Sequence, residues 1–298
     1  MKKRILSTLI FFLGWMMITC TSQKESLSKQ KGIVLPKILK ENSGLIMLEN
    51  KLWTFNDSGG EAELYQINPT NGEILKTVKL LGAQNLDWEA ITQSQEHFYL
   101  ADTGNNLAKR EQLEIYKIPK IGLNQDQVEV ETLRFSYPDF TPPKPGEKTD
   151  FDCESLVFYN DSIHLFTKQW TKKGTTHYSL DPNLPTQVAK KKQNYPLGFL
   201  LTDACIYPTE NGYQIGFLGY EKKGQNFLTL FENDHQKEFS PFDGTQKKIK
   251  LHTMGIVGQT EGLVISKDYI YISSEAFKKK AVKLSQKLYR FNRIFNFE

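Results

Sequence analysis

Cysteine is scarce in this chain: three in 298 residues. Cys20 lies at the end of an N-terminal apolar run, which leaves only Cys153 and Cys205 in the body. No CxxC pair or nearby histidine completes a metal site around them. They are read as two buried thiols; a bridge stays open, because geometry decides it. The five histidines, His97, His164, His177, His235 and His252, fall at no ligand spacing. There is no G-x-S-x-G elbow and no phosphate-cradling glycine loop, so nothing marks a nucleophilic triad or a nucleotide site. A strong charge of one sign is also missing. Taking away Lys2, Lys3 and Arg4 with the leader lowers the formal net charge from +4 by three, to +1. A near-neutral body gives no general electrostatic case for nucleic acid. The late cluster Lys278, Lys279, Lys280 and Lys283 reads as a solvated loop.

The leader is the one long apolar run. Residues 1 to 4 are basic and residues 5 to 18 almost continuously apolar, too short for a stable membrane span. Met17-Ile18-Thr19-Cys20 resembles a bacterial lipobox, with Thr19 departing from the usual small residue. Residues 1 to 19 are expected to be a signal peptide and Cys20 the lipidated N-terminus. The polar residues 20 to 31 would be a flexible tether, and residues 32 to 298 a single domain. The expected location is the bacterial cell envelope, lipid-anchored, at the outer membrane.

What the chain does have is a repeat. Ser43-Gly44-Leu45, Glu89-Ala90-Ile91, Glu154-Ser155-Leu156, Asp203-Ala204-Cys205 and Glu261-Gly262-Leu263 recur at spacings of 46, 65, 49 and 58 residues. Each copy opens a series of short alternating segments bounded by Asn, Gly, Asp and Pro, the pattern of strands and hairpins. Four segments follow in each unit except the last, which has three. One unplaced segment, residues 32 to 39, remains at the front. Propellers close by lending an N-terminal strand to the last blade, and Pro36 suits an edge. The fold class is therefore all-β, a β-propeller of five blades of four strands. Six blades is the alternative, if the proline-rich stretch 138 to 150 hides strands. The third segments share a tyrosine, Tyr65, Tyr116, Tyr178 and Tyr289, read as packing between blades.

The repeat places Glu89, Glu154, Asp203 and Glu261 at one register on the innermost strands, facing a central channel. Like charges in a narrow channel need a neutralising partner. Three would serve: a hard cation such as Ca²⁺, water with backbone N–H groups, or a lysine or arginine from a loop. A second set lies at the ends of the second strands: Asn56, Asp57, Asp102, Asn105, Asn106, Arg110, Lys168 and Glu275, with Trp170 beside them. These are expected to form a polar rim at the opposite face, although the Asp-Gly-Asn stretches are also ordinary turn chemistry.

Asn56-Asp57-Ser58-Gly59-Gly60, Leu86-Asp87-Trp88-Glu89 and Ala101-Asp102-Thr103-Gly104-Asn105-Asn106 with Arg110 resemble a family of exported bacterial β-propeller proteins, many of them lipoproteins of Bacteroidota. Phe151-Asp152-Cys153-Glu154-Ser155-Leu156, Phe166-Thr167-Lys168, Gly219-Tyr220 and Gln259-Thr260-Glu261-Gly262-Leu263 fit the same pattern. The resemblance extends more remotely to the SdiA-regulated, phytase-like esterase and gluconolactonase-like propellers. The last group holds a divalent cation with a first-strand Glu, a slot that Ser43 takes here. The resemblance implies fold and compartment more than a reaction. The expected function is an envelope binding or scaffold module whose polar channel has room for a divalent cation. The alternative is a metal-assisted hydrolase of a phosphoester, lactone or ester. Expected partners are the membrane, through the lipid, and a small molecule or envelope protein; the chain is read as a monomer without nucleic acid.

Overall fold

The computed structural model describes residues 31–144, 147–234, 238–279 and 282–293. The leader, Cys20 and most of the tether lie outside the described residues. Five four-stranded antiparallel blades stand around one axis. Blade 1 holds Asn42–Leu48, Lys51–Asn56, Glu63–Ile67 and Ile74–Leu81. Blade 2 holds Trp88–Gln93, His97–Asp102, Leu113–Pro119 and Glu131–Ser136. Blade 3 follows with Asp152–Tyr159, Ser162–Lys168, Thr175–Leu180 and Lys190–Tyr195, and blade 4 with Leu200–Pro208, Gly212–Tyr220, Gln225–Asp234 and Thr245–Thr253. Blade 5 has Thr260–Ile265, Tyr269–Ser274 and Lys287–Asn292. Its outer strand is Ile33–Val34, paired antiparallel with residues 287 and 288. The N-terminal closure is thus as expected, but shorter. Pro36 lacks a donor, and Lys37–Leu39 turns into a 3-10 helix.

Two outer strands differ from the sequence reading. Residues 187 to 193 read as one strand, yet Thr186–Val188 pairs parallel with blade 2 before Lys190–Tyr195 joins blade 3. Gln127–Glu129 likewise adds a parallel fifth strand to blade 1. Each covers an edge that would otherwise be open to pairing with another chain.

Apolar side chains on facing sides of neighbouring blades form the core. Trp53, Phe98 and Tyr116 fill the space between blades 1 and 2. Phe166, Phe217 and Phe231 do so between blades 3 and 4. The four third-strand tyrosines are all buried. Side chains also tie blades together at the axis. Ser43 Oγ donates to the Glu89 carbonyl (3.1 Å), Thr103 Oγ1 to that of Cys153 (2.8 Å) and Thr202 Oγ1 to that of Thr260 (2.8 Å).

Every inner strand carries a β-bulge near its start. Such a bulge re-aims a side chain. In blades 2, 3 and 5 the residue left out of the ladder is the repeat glutamate: Glu89, Glu154 and Glu261. In blade 4 it is Thr202. Asp203 therefore stands at the register of the small residue, not of the glutamates.

Candidate functional site

An antiparallel hairpin puts the end of its second strand beside the start of its first. Asp152 pairs with Lys168, Trp88 with Asp102 and Thr260 with Ser274. The channel acids and the rim, expected at opposite faces, consequently form one layer at one end of the axis.

Three of the four channel acids belong to the layer. Glu154 accepts from the Lys168 ammonium at 2.8 Å, with both side chains almost wholly buried. Gln259 Nε2 donates to Glu261. Glu89 is 9 % exposed. Asp203 is satisfied separately: its carboxylate accepts from the N–H groups of Ala204 (2.8 Å) and Leu263 (2.7 Å). It bridges blades 4 and 5, a structural duty that fits its shifted register.

The rim residues divide in the same way. Asn56 Nδ2 donates to the Ile38 carbonyl. Asn105 exchanges hydrogen bonds with the Arg110 backbone at 2.8 and 3.0 Å, and Asn106 is exposed. These residues shape loops. Arg110 pairs with Asp102 at 2.7 Å. Burial raises the Asp102 carboxyl above its usual range, and the guanidinium opposes that. Asp57 and Glu275 remain in the well without a cationic partner among the described residues.

Two acids were missing from the sequence-predicted set. Asp87 and Asp152 stand two residues before Glu89 and Glu154. The Asp-x-Glu spacing recurs in both blades and is a readable signal; the bulge at each glutamate, not regular strand alternation, is what brings the carboxyl groups together. One carboxylate oxygen each of Asp57, Asp87 and Glu89 lie within 4.8 Å of one another. The same holds for Glu89, Asp152 and Glu154, so Glu89 belongs to both trios. Gly104 makes this approach possible. A Cβ there would fall 2.3 Å from Asp87 Cγ and 2.4 Å from Glu89 Oε1.

The electrostatics follow from this crowding. Burial, then the Asp87 charge and then Glu261, push the Asp57 carboxyl up to about 8. Burial raises Glu89 well above its usual range, with Glu154 and Asp57 adding to it. Burial lifts Glu261 to about 8 against the pull of Lys168. Glu275 rises to about 7, through burial and then Asp57. Burial alone would lower the Lys168 ammonium; the facing Glu154 reverses that and holds it well above its usual value. Asp152 is already satisfied by hydrogen bonds from the Asn105 N–H (2.6 Å) and Trp170 Nε1 (2.8 Å). Glu89 has no hydrogen-bond donor among the described residues. Oxygen ligands in this number and spacing suit a hard divalent cation of the Ca²⁺ type.

The other end of the channel is different in kind. A cavity of about 500 Å³ opens there, lined by Ile46, Ile91, Phe158, Cys205, Ile206 and Val264 among others. Cys153 and Cys205 are free thiols. Burial pushes them up to about 11 and about 12, so neither is a ready nucleophile.

The molecule is thus a five-bladed β-propeller with an acid-lined well at one end of its axis. No protein-family model and no curated protein matches the chain. Solved structures do share its fold. A GH43 β-1,3-galactosidase with galactodeoxynojirimycin superposes with a TM-score of 0.52 at 10 % identity, over 89 % of this chain and 94 % of that one. A protein described as a glycoside hydrolase gives 0.52 at 13 % identity, over 89 % and 62 %. A bifunctional GH43-CE protein of Bacteroides eggerthii gives 0.50 at 13 % identity, over 88 % and 34 %. At these identities the likeness is one of fold.

Proposed function

We propose that this propeller is a cell-envelope binding module whose acidic well holds a divalent cation such as Ca²⁺, and that the cation helps to bind a small molecule. Glu89 carries the reading. It is a buried carboxyl group shared by two carboxylate trios and has no hydrogen-bond donor among the described residues. A buried charge left this way is costly, and a cation bound by Asp57, Asp87 and Glu89 would relieve it. The carboxyl groups of the well outnumber the cations beside it, Lys168, Arg110 and Lys148, and an anionic ligand would make their ionisation costlier still. That disfavours a phosphoester and favours a neutral, hydroxyl-rich ligand resting near Trp170. It also weakens the hydrolase alternative for phosphoesters.

Purified mature protein is expected to contain about one equivalent of divalent metal, and EDTA should lower its melting temperature. No metal and no thermal shift would overturn the cation. The anchor is tested separately. Cells fed a fatty-acid analogue should label the full chain, and Cys20→Ser should abolish the label; a label surviving in Cys20→Ser would place the lipid elsewhere.

A further inference from the structure

We infer that Lys168 is a built-in cation filling the second of two adjoining carboxylate seats, so that the well takes one divalent ion rather than two. This rests on the cation reading above. The trios Asp57, Asp87, Glu89 and Glu89, Asp152, Glu154 adjoin through Glu89. Only the second contains a positive charge. Lys168 Nζ sits 2.8 Å from Glu154 Oε1. It also lies 4.8 Å from the centre of the Trp170 ring and 5.4 Å from that of Tyr220. Carboxylates on one side and aromatic faces on the other form a cage for a compact cation.

The register shows how the cage arises. The corresponding last residue of the second strand is Asn56 in blade 1, Asp102 in blade 2, Tyr220 in blade 4 and Ser274 in blade 5. Only blade 3 supplies a cation at this position, in the blade that also supplies Asp152 and Glu154. The first trio has no such tenant. Among the described residues no ammonium or guanidinium is ion-paired with Asp57, Asp87 or Glu89; Arg110, whose charge favours the ionised form of Asp87, is paired with Asp102. The two seats thus have the same chemistry but different occupants: an ammonium fixed by the chain in one, an exchangeable ion in the other.

Titration with CaCl₂, followed by native mass spectrometry and calorimetry, reads the number of ions per chain. Wild type and Lys168→Arg should bind one. Lys168→Met, of similar length but neutral, should bind two. Lys168→Met with Glu154→Gln should return to one. If wild type and a folded Lys168→Met both bind one, the inference fails and the cation reading survives. If wild type binds none and Lys168→Met binds one, the cation reading fails and the second seat stands. No binding by either overturns both. If Lys168→Met is unfolded in chelator, refolding with the uptake of two ions supports the inference, and failure to refold with CaCl₂ overturns it.

Discussion

Glu89→Gln should raise the melting temperature of the chelated protein while lowering its affinity for Ca²⁺ at least tenfold. Most substitutions at buried positions destabilise; this one should do the opposite. The amide has nearly the shape of the carboxyl group, so packing is kept. What disappears is a buried carboxyl group whose ionisation is opposed by burial, Glu154, Asp57 and Asp152, and which receives no hydrogen bond among the described residues. Relieving a buried, unpaired charge of this kind is worth about 1–3 kcal/mol. In a domain of this size each kcal/mol moves the midpoint by about 2–4 °C. The same change removes an anionic ligand shared by both trios, and cation affinity depends on how many such ligands a site presents. Glu154→Gln supplies the contrast. Glu154 occupies the same place in its blade, but it pairs with Lys168. Removing its charge strands a buried ammonium, which typically costs about 3–5 kcal/mol. Thermal unfolding of the two variants in EDTA reads opposite signs. A lower midpoint for Glu89→Gln would show that its carboxylate is already satisfied by the protein, and the cation reading would lose its main support.

The difference between these two glutamates also marks the limit of what the sequence made legible. The blades could be read because short alternating strands are punctuated by turn residues and because the repeat phrase recurs with each unit. Closure could be read because one strand was left over at the front and one was missing from the last unit. The site was only half legible. Treating the phrase as a rigid register put Asp203 with the glutamates, but the bulge that re-aims each inner strand falls on Thr202 in blade 4. A one-residue shift in a strand turns a side chain to the other face, and a bulge leaves no mark in the period of the sequence. Asp87 and Asp152 were visible two residues before their glutamates, at a spacing that blade 5 repeats as Gln259-x-Glu261 and blade 4 lacks. The rim was placed at the wrong end because the hairpin partner of each first-strand residue is fixed by the length of the turn. The Lys168–Glu154 pair, fourteen residues apart, is the product of that register.

Between pH 6.5 and 8 the chelated protein should lose stability as pH rises, and Ca²⁺ should flatten this flank. In the folded chain Asp57 and Glu261 keep their protons until about pH 8 and Glu275 until about pH 7. Unfolded, they lose them near 3.8 and 4.5. Within the window the native state binds more protons than the unfolded state, so raising the pH favours unfolding. The slope is about 1.4 kcal/mol per pH unit for each proton retained. A bound cation holds Asp57 ionised as a ligand and, through its charge, favours the ionised forms of Glu261 and Glu275 nearby, so the dependence weakens. A second contribution acts on the acid side. His164 Nδ1 and His177 Nε2 lie 2.9 Å apart inside blade 3, against Phe239. Burial lowers them to about 4 and about 3. Below pH 6.5 the unfolded chain takes up protons that the folded pair refuses, which opposes the acids and makes the chelated profile shallower there. Three acids that keep their protons outweigh two histidines that refuse them, so melting curves in EDTA from pH 5 to pH 8 should show stability falling throughout as pH rises, most steeply near pH 7. A flat chelated profile from 6.5 to 8 would sink the uncompensated acids. The histidine pair is packed among aromatic rings and carries no carboxylate of the well among the causes of its shift. In Ca²⁺, with the acid slope weakened, the histidines should emerge as a loss of stability below pH 6.5. If no such loss appears in Ca²⁺, the ion is acting on the whole fold and not on the well.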